Sequence, residues 1–297
     1  MTIKRVGLIG VGLMGHGIGK NILAKGFALS VMAHRNRAPV DSLVSLGATE
    51  CASPAEIAKA SDMVILCVTG TPQVEETIYG AKGLASAASA GLIIADCSTA
   101  EPASTIRLAA DLKTRGVHFV DTPMTRTPKE AEAGKLGLMI GGPAEVLVKI
   151  RPVLDCFADT IVNAGEAGAA HQLKLLNNFL SIGHAAMAAE AITVAAKAGV
   201  SMEALRDIVM SGGAMSVMFE RLIKVPLADD DSAAKFAIKN ARKDLRYYTN
   251  MTEQLPVASF MGETVHQLFV MAENLGYGDR FIPRMIDVFQ KINGMKK

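Results

Sequence analysis

The chain has 297 residues, with 31 Lys or Arg against 29 Asp or Glu, so its formal net charge at pH 7 is only +2. No basic run indicates nucleic-acid binding, and no apolar stretch has the length and flanks of a membrane span or a signal peptide. We therefore expect a cytoplasmic protein without nucleic-acid or membrane partners, whose four widely spaced cysteines are reduced and bind no metal.

A glycine-rich turn lies near the start of the chain. It follows a strand predicted over 3–9, precedes a helix predicted over 13–25, and a second strand is predicted over 28–33. Glycines at such a turn allow the backbone to approach a pyrophosphate, which the helix N-terminus then binds. This context favours a dinucleotide site over a plain tight turn. The predicted cofactor residues are Gly10, Gly12, Leu13, Met14 and Gly15.

The end of the second predicted strand indicates which dinucleotide is bound. An NAD-preferring fold usually has an acidic residue there, which accepts hydrogen bonds from the ribose. This chain instead has His34, Arg35, Asn36 and Arg37. Guanidinium groups suit the 2′-phosphate of NADP, so NADP is favoured, with NAD as the alternative. Arg35 is the first candidate because it is closest to the strand end, and one of the two arginines is alternatively only solvated.

Four further apolar runs alternate with helical segments, over 63–68, 92–95, 117–120 and 138–141. This order predicts a doubly wound parallel sheet of the Rossmann type, whose ligands bind beyond the carboxyl ends of the strands. Polar clusters follow three of the runs, over 69–73, 96–99 and 121–127. Each cluster alone is consistent with helix capping, but three at one sheet edge favour a site.

A long helix is predicted over 165–197, with apolar residues in nearly every direction. One narrow stripe on it is different, because His171, Lys174 and Asn178 are spaced three and four residues apart. No acidic residue on the helix is placed to pair with Lys174. We interpret Lys174 as a candidate catalytic group and a solvated lysine as the alternative.

The residues after 198 are predicted to be helical, without a second nucleotide-binding turn. The predicted organisation is a dinucleotide-binding domain over 1–163 and an all-α domain over 164–297, joined by the long helix. A helical appendage of this apolar content would leave apolar surface exposed, so a homodimer or homotetramer is expected.

Five motifs occur in an order that resembles the β-hydroxyacid dehydrogenase family, which includes 3-hydroxyisobutyrate dehydrogenases and tartronate semialdehyde reductases. The similarity spans nearly the whole chain. The motifs are Gly10-x-Gly12-x-Met14-Gly15, Asp96-x-Ser98-Thr99, Asp121-x-Pro123, Gly165-x-x-Gly168 leading to Lys174-x-x-Asn177-Asn178, and Lys243-Asp244-Leu245.

The resemblance implies a role for each matched residue. It implies that Lys174 is the catalytic lysine, with Asn178 beside it on the helix. It places Thr99 and Lys243 at the cofactor, and Val68, Thr69 and Gln73 in the loop beside the nicotinamide. The predicted substrate-binding residues are Ser98, Thr125, Arg126, Thr127, Lys174 and Asn178.

The chain departs from the family in one loop. Where the family commonly has Ser-Gly-Gly, which cradles the substrate carboxylate, this chain has Thr125, Arg126 and Thr127. Arg126 either binds an anionic group of the substrate as a bidentate fork or points outward and stiffens the loop.

The implied reaction is hydride transfer between a nicotinamide cofactor and a small acidic hydroxy acid or semialdehyde. Lys174 would protonate the developing alkoxide in reduction and accept the hydroxyl proton in oxidation. His171 is an alternative acid, although a structural role is favoured. A non-catalytic dinucleotide-binding module and an imine-reducing enzyme are the other functions considered, and imine-reducing relatives generally lack the lysine.

Overall fold

The computed structural model describes residues 2–295. The chain divides into two compact units, Met1–Lys174 and Leu175–Lys297. The domain boundary predicted between residues 163 and 164 remains a prediction.

The first unit is built on one sheet, which has nine strands within the described residues. The strands are β1 Arg5–Ile9, β2 Ala28–Val31, β3 Thr49–Glu50, β4 Met63–Leu66, β5 Ile93–Asp96, β6 His118–Asp121, β7 Met124–Thr125, β8 Leu136–Gly141 and β9 Ala158–Gly165. Their order is β3-β2-β1-β4-β5-β6-β8-β7, and β9 pairs with β8. The first six strands run parallel, which confirms the predicted fold class.

The far edge of the sheet departs from the prediction. Strand β8 is antiparallel to β6 and β7 and parallel to β9. The strands β3, β7 and β9 had not been predicted. Two of them have only two residues, and β9 exposes most of its residues, so they lack the apolar runs by which buried strands are recognised.

Helices of the first unit cover both faces of this sheet. They are α1 Gly15–Ala24, α2 Ala38–Ser45, α3 Pro54–Ala60, α4 Thr71–Tyr79, α5 Pro102–Lys113, α6 Pro128–Glu132 and α7 Ala144–Leu154. Successive side chains of β4 alternate between two cores: Met63 and Ile65 join one cluster, and Val64 and Leu66 join the other. A strand buried on both faces explains the continuous apolar run at this position.

The second unit is all helical. The long helix α8, Ala169–Lys197, begins in the first unit and continues into the second. It is followed by α9 Met202–Met210, α10 Val217–Leu222, α11 Lys224–Ala228, α12 Ile238–Gln254, α13 Phe260–Ala272 and α14 Met285–Ile292. Their core contains Ile192, Leu222, Leu245, Phe269 and Met285.

One expectation for the long helix was wrong. It begins at Ala169 and not at Gly165, because Gly165 and Gly168 adopt left-handed φ values of 121° and 94° that end β9 and form the turn before α8. It also exposes an apolar stripe that includes Leu180, Met187 and Val194. By length and composition it could cross a membrane, yet half of its most apolar window is buried, and it is a core helix of a soluble enzyme fold.

Candidate active site

The glycine turn between β1 and α1 has the geometry of a phosphate cradle. Gly10 has a φ of 102°, and a Cβ there would lie 2.1 Å from the carbonyl oxygen of Cys67. A Cβ on Gly15 would lie equally close to the carbonyl oxygen of Gly10. Gly12 is different, because a Cβ there would meet no atom within 4 Å. Two glycines therefore close the turn, and the third leaves the exposed backbone open to a ligand at the helix N-terminus.

The two arginines after β2, which are proposed to bind the ribose phosphate, differ in their contacts. Arg37 forms ion pairs with Glu50 and Asp41, each with a 3.0 Å contact. Arg35 is exposed and makes no ion pair with any residue in 2–295. The side chain of Asn36 accepts a hydrogen bond from the N–H of Ala38, the first residue of α2. Of the two arginines, Arg35 therefore remains the candidate for binding a phosphate.

The loops after β4 and β5 are joined to each other. Ser98 is buried, and its hydroxyl accepts a hydrogen bond from the Val68 N–H at 3.0 Å. Its own N–H donates to Asp96 at 2.9 Å. Thr99 is half-buried beside Ser98, whereas Thr69 and Gln73 are exposed at the start of α4. Sequence reasoning assigned these residues to one edge, and the structure brings Val68 and Ser98 into contact there.

Lys174 lies in the second turn of α8 and is half-buried. Its ammonium donates a hydrogen bond of 2.7 Å to the carbonyl oxygen of Met124 in β7. Met124 begins β7, three residues after the end of β6, within the third polar cluster. The acid that had been predicted from the sequence is therefore held at the carboxyl edge of the sheet.

Asp121, at the end of β6, fixes the start of the helix that carries Lys174. One carboxylate oxygen accepts a hydrogen bond from the Gly168 N–H and the other from the His171 N–H, both at 2.8 Å. Asp121 is fully buried, and these two N–H groups give each of its carboxyl oxygens a hydrogen-bond donor. No site role had been predicted for Asp121, although the Asp121-x-Pro123 motif marks the position.

The predicted substrate loop uses its polar groups internally. The guanidinium of Arg126 donates to the carbonyl oxygen of Lys135, to Asp159 at 2.6 Å and to Thr160 at 3.1 Å. Its φ of 79° is a left-handed conformation that favours glycine. The N–H and hydroxyl of Thr127 both donate to Glu130, which keeps the pKa of that carboxyl low.

This geometry matches the second of the two roles considered for Arg126, in which it stiffens the loop. Thr125 contributes to the same edge, because its hydroxyl lies within 3.3 Å of the carbonyl oxygen of Gly137 in β8. A side chain at 137 would collide with that hydroxyl, since a Cβ there would lie 2.4 Å from Oγ1.

In the second unit, a buried carboxylate joins the two site residues predicted there. Asp244 is 2 % exposed. One of its oxygens accepts a 2.6 Å hydrogen bond from the amide of Asn178, and the other lies 2.9 Å from the ammonium of Lys243. That ammonium also lies 4.9 Å from the centre of the Tyr247 ring. Asp244 had been quoted only as part of a motif, and its role as the link between Asn178 and Lys243 appears in the structure alone.

Models of two protein families match the chain. Residues 5–165 match the NAD-binding domain of 6-phosphogluconate dehydrogenase. Residues 168–289 match a model described as NAD-binding of NADP-dependent 3-hydroxyisobutyrate dehydrogenase.

Individual proteins match over nearly their full lengths. The 2-(hydroxymethyl)glutarate dehydrogenase of Eubacterium barkeri is 30 % identical, over 98 % of this chain and 96 % of that protein. The L-threonate dehydrogenase of Cupriavidus necator is 29 % identical, over 97 % of each chain. A crystal structure of 3-hydroxyisobutyrate dehydrogenase from Salmonella typhimurium is 27 % identical and covers 96 % of this chain and 99 % of its own, with a TM-score of 0.86.

Proposed function

We infer that this chain catalyses the type of reaction that its family catalyses. It belongs to the 3-hydroxyisobutyrate dehydrogenase, or β-hydroxyacid dehydrogenase, family. It is an NAD(P)-dependent dehydrogenase that acts on CH–OH groups. We propose that it prefers NADP and interconverts a small acidic β-hydroxy acid and its semialdehyde, with Lys174 as the acid and base.

The observation that carries this proposal is the hydrogen bond from Lys174 to the Met124 carbonyl oxygen. A lysine ammonium has three donors and no acceptor. The carbonyl accepts from one of these donors, and Met124 lies three residues beyond the end of β6, near the sheet edge where ligands of such folds bind. In reduction the ammonium gives its proton to the alkoxide oxygen, and in oxidation the neutral amine accepts the hydroxyl proton.

The first unit fits a dinucleotide. The open Cβ position at Gly12 and the N-terminus of α1 suit a pyrophosphate, and Arg35 suits a 2′-phosphate. The bound nicotinamide supplies or accepts the hydride. No acidic residue lies between His34 and Arg37, which is why we favour NADP over NAD.

The substrate class follows from the relatives. Two of them are named as dehydrogenases of 2-(hydroxymethyl)glutarate and of L-threonate, and both of these compounds are acids. We therefore propose a small substrate with an acid group and an alcohol or aldehyde group. Because Arg126 is bonded to Asp159, we do not assign the acid group to Arg126.

The test is a panel of small carboxylated aldehydes that includes glyoxylate and the succinic, tartronic and methylmalonic semialdehydes. NADPH consumption is measured with NADH in parallel. We expect turnover of at least one aldehyde, faster with NADPH. Tight NADPH binding without any turnover would favour a non-catalytic module and contradict the proposal.

We also propose that the protein assembles as a homodimer or homotetramer. The exposed apolar residues of α8 recur at helical spacing, and a helix pair related by a two-fold axis would cover them with the same residues of a second copy. Light scattering coupled to size-exclusion chromatography tests this, and a monomer at micromolar concentration would contradict it.

A further inference from the structure

His171 occupies a buried position between the cofactor loops and the helix of Lys174. Its side chain is fully buried. Nε2 lies 3.1 Å from the carbonyl oxygen of Ser98, and Nδ1 lies 2.7 Å from the hydroxyl of Thr105. The carboxylates of Asp96 and Asp121 approach the ring to 3.9 and 4.0 Å.

These partners define what each ring nitrogen does. A carbonyl oxygen only accepts, so Nε2 carries a hydrogen and donates it to Ser98. The Thr105 hydroxyl has a second acceptor, because it also lies 3.3 Å from the carbonyl oxygen of Glu101. Without the imidazole, the Ser98 carbonyl would therefore lose its donor, whereas the Thr105 hydroxyl would keep an acceptor.

Ser98 is thereby held at three atoms. Its carbonyl oxygen accepts from His171, its N–H donates to Asp96, and its hydroxyl accepts from the Val68 N–H. The last bond reaches the loop that the resemblance places beside the nicotinamide. One imidazole thus connects, through a single residue, to the loops after β4 and β5.

The same histidine is fixed to the helix of the proposed acid. Its backbone N–H donates to Asp121 at the first turn of α8. Lys174 follows three residues later, close to one turn along the helix, where its ammonium binds Met124. The backbone of His171 therefore belongs to α8, which carries the proposed proton donor. Its ring contacts Ser98, which connects the proposed cofactor loops.

Hydride transfer to a carbonyl requires such a connection. The hydride goes to the carbon and the proton to the oxygen bonded to it, so the two donors must keep a fixed separation. A misplacement of about 1 Å at a reacting group lowers the rate by up to about 10²-fold.

We propose that His171 is a positioning residue that fixes the distance between the Lys174 helix and the nicotinamide loop through its Nε2 bond to the Ser98 carbonyl. This inference rests on the proposed roles of Lys174 and of the Val68 loop. This proposal differs from a purely structural role for a buried, hydrogen-bonded histidine. It assigns the function to one of the two ring bonds.

Three variants separate the two ring bonds. The amide of Gln reaches the position of Nε2, so His171→Gln keeps a donor for Ser98. The shorter Asn reaches only the position of Nδ1, so His171→Asn keeps the contact with Thr105. His171→Leu removes both bonds. His118→Gln is the matched control, because His118 lies at the start of β6, at the opposite end of that strand from Asp121.

The first measurement is NADPH affinity by fluorescence titration, which needs no substrate. We expect His171→Leu and His171→Asn to weaken NADPH binding on the order of tenfold, the worth of about one hydrogen bond, and His171→Gln to stay within about twofold of the wild type. With an aldehyde that is turned over, the two weak variants should lose about 10²-fold in kcat/KM. They should also show a larger isotope effect with 4-deuterated NADPH.

Thermal melts of all four variants show whether each one is folded. Equal NADPH affinity in the Leu, Asn and Gln variants overturns the proposal, and so does a loss in Gln that Asn does not share. If the binding pattern is as expected but no aldehyde is turned over, the bond from His171 to Ser98 still positions the nicotinamide loop, and the proposed reaction fails.

Discussion

The ammonium of Lys174 and the carbonyl oxygen of Met124 form a 2.7 Å hydrogen bond that joins α8 to β7. The hydrogen-bond partner of the proposed acid is therefore a backbone carbonyl. The sheet determines the position of this carbonyl, and no side-chain substitution removes it. The chemistry at this point can therefore be tested by changing the lysine alone.

Replacement of Lys174 by Ala should lower kcat by about 10²- to 10⁴-fold, the usual contribution of a general acid. Because the glycine turn and Arg35 are unchanged, the NADPH dissociation constant should stay within about threefold. Single-turnover kinetics and fluorescence titration measure the two quantities. A variant that keeps its turnover would show that another group donates the proton.

The cofactor preference should depend on Arg35 and much less on Arg37. Arg35→Glu places a negative charge where the 2′-phosphate is proposed to bind, so kcat/KM for NADPH relative to NADH should fall by at least about tenfold. Arg37→Gln is the matched variant, because Arg37 is already paired with Glu50 and Asp41. Equal effects of the two changes would assign the phosphate contact to both arginines, and no effect of either would place it elsewhere.

Arg126 should matter more for loop stability than for substrate binding. Its left-handed backbone costs a non-glycine residue about 1 kcal/mol, and its three side-chain bonds offset that cost. Arg126→Ala should therefore be less stable than Arg126→Gly by about 1 kcal/mol in urea unfolding. A rise of tenfold or more in the substrate KM of both variants would instead support the substrate-binding role.

Asn178 and Asp244 should act as a unit. Asn178→Ala and Asp244→Ala should each lower kcat/KM by about tenfold, and the double variant should lose little more than either one, because both changes break the same 2.6 Å bond. Asp207→Ala serves as the control, since Asp207 is exposed and forms an ion pair with its neighbour Arg206. Additive losses near 10²-fold would show that the two residues act independently.

Much of this protein was predictable from local patterns. The strand, glycine turn and helix over 3–25 were recognised because the steric demands of a tight turn appear directly as glycines, and the parallel strands because burial on both faces produces continuous apolar runs. The family followed from motifs in a fixed order, and the catalytic role of Lys174 stays a prediction. The start of α8 was predicted four residues too early, because apolar content does not reveal a left-handed glycine at 168.

Only the tertiary structure decided which polar residues meet. Asp121 and His171 are 50 residues apart in the chain, and Asn178 and Asp244 are 66 apart. Sequence spacing predicts contacts within one helix or strand, since those depend on the local repeat. It does not predict the rotamer by which Arg126 reaches Asp159, nor which carboxylate holds the Lys174 helix, because these contacts depend on how separate elements pack against one another.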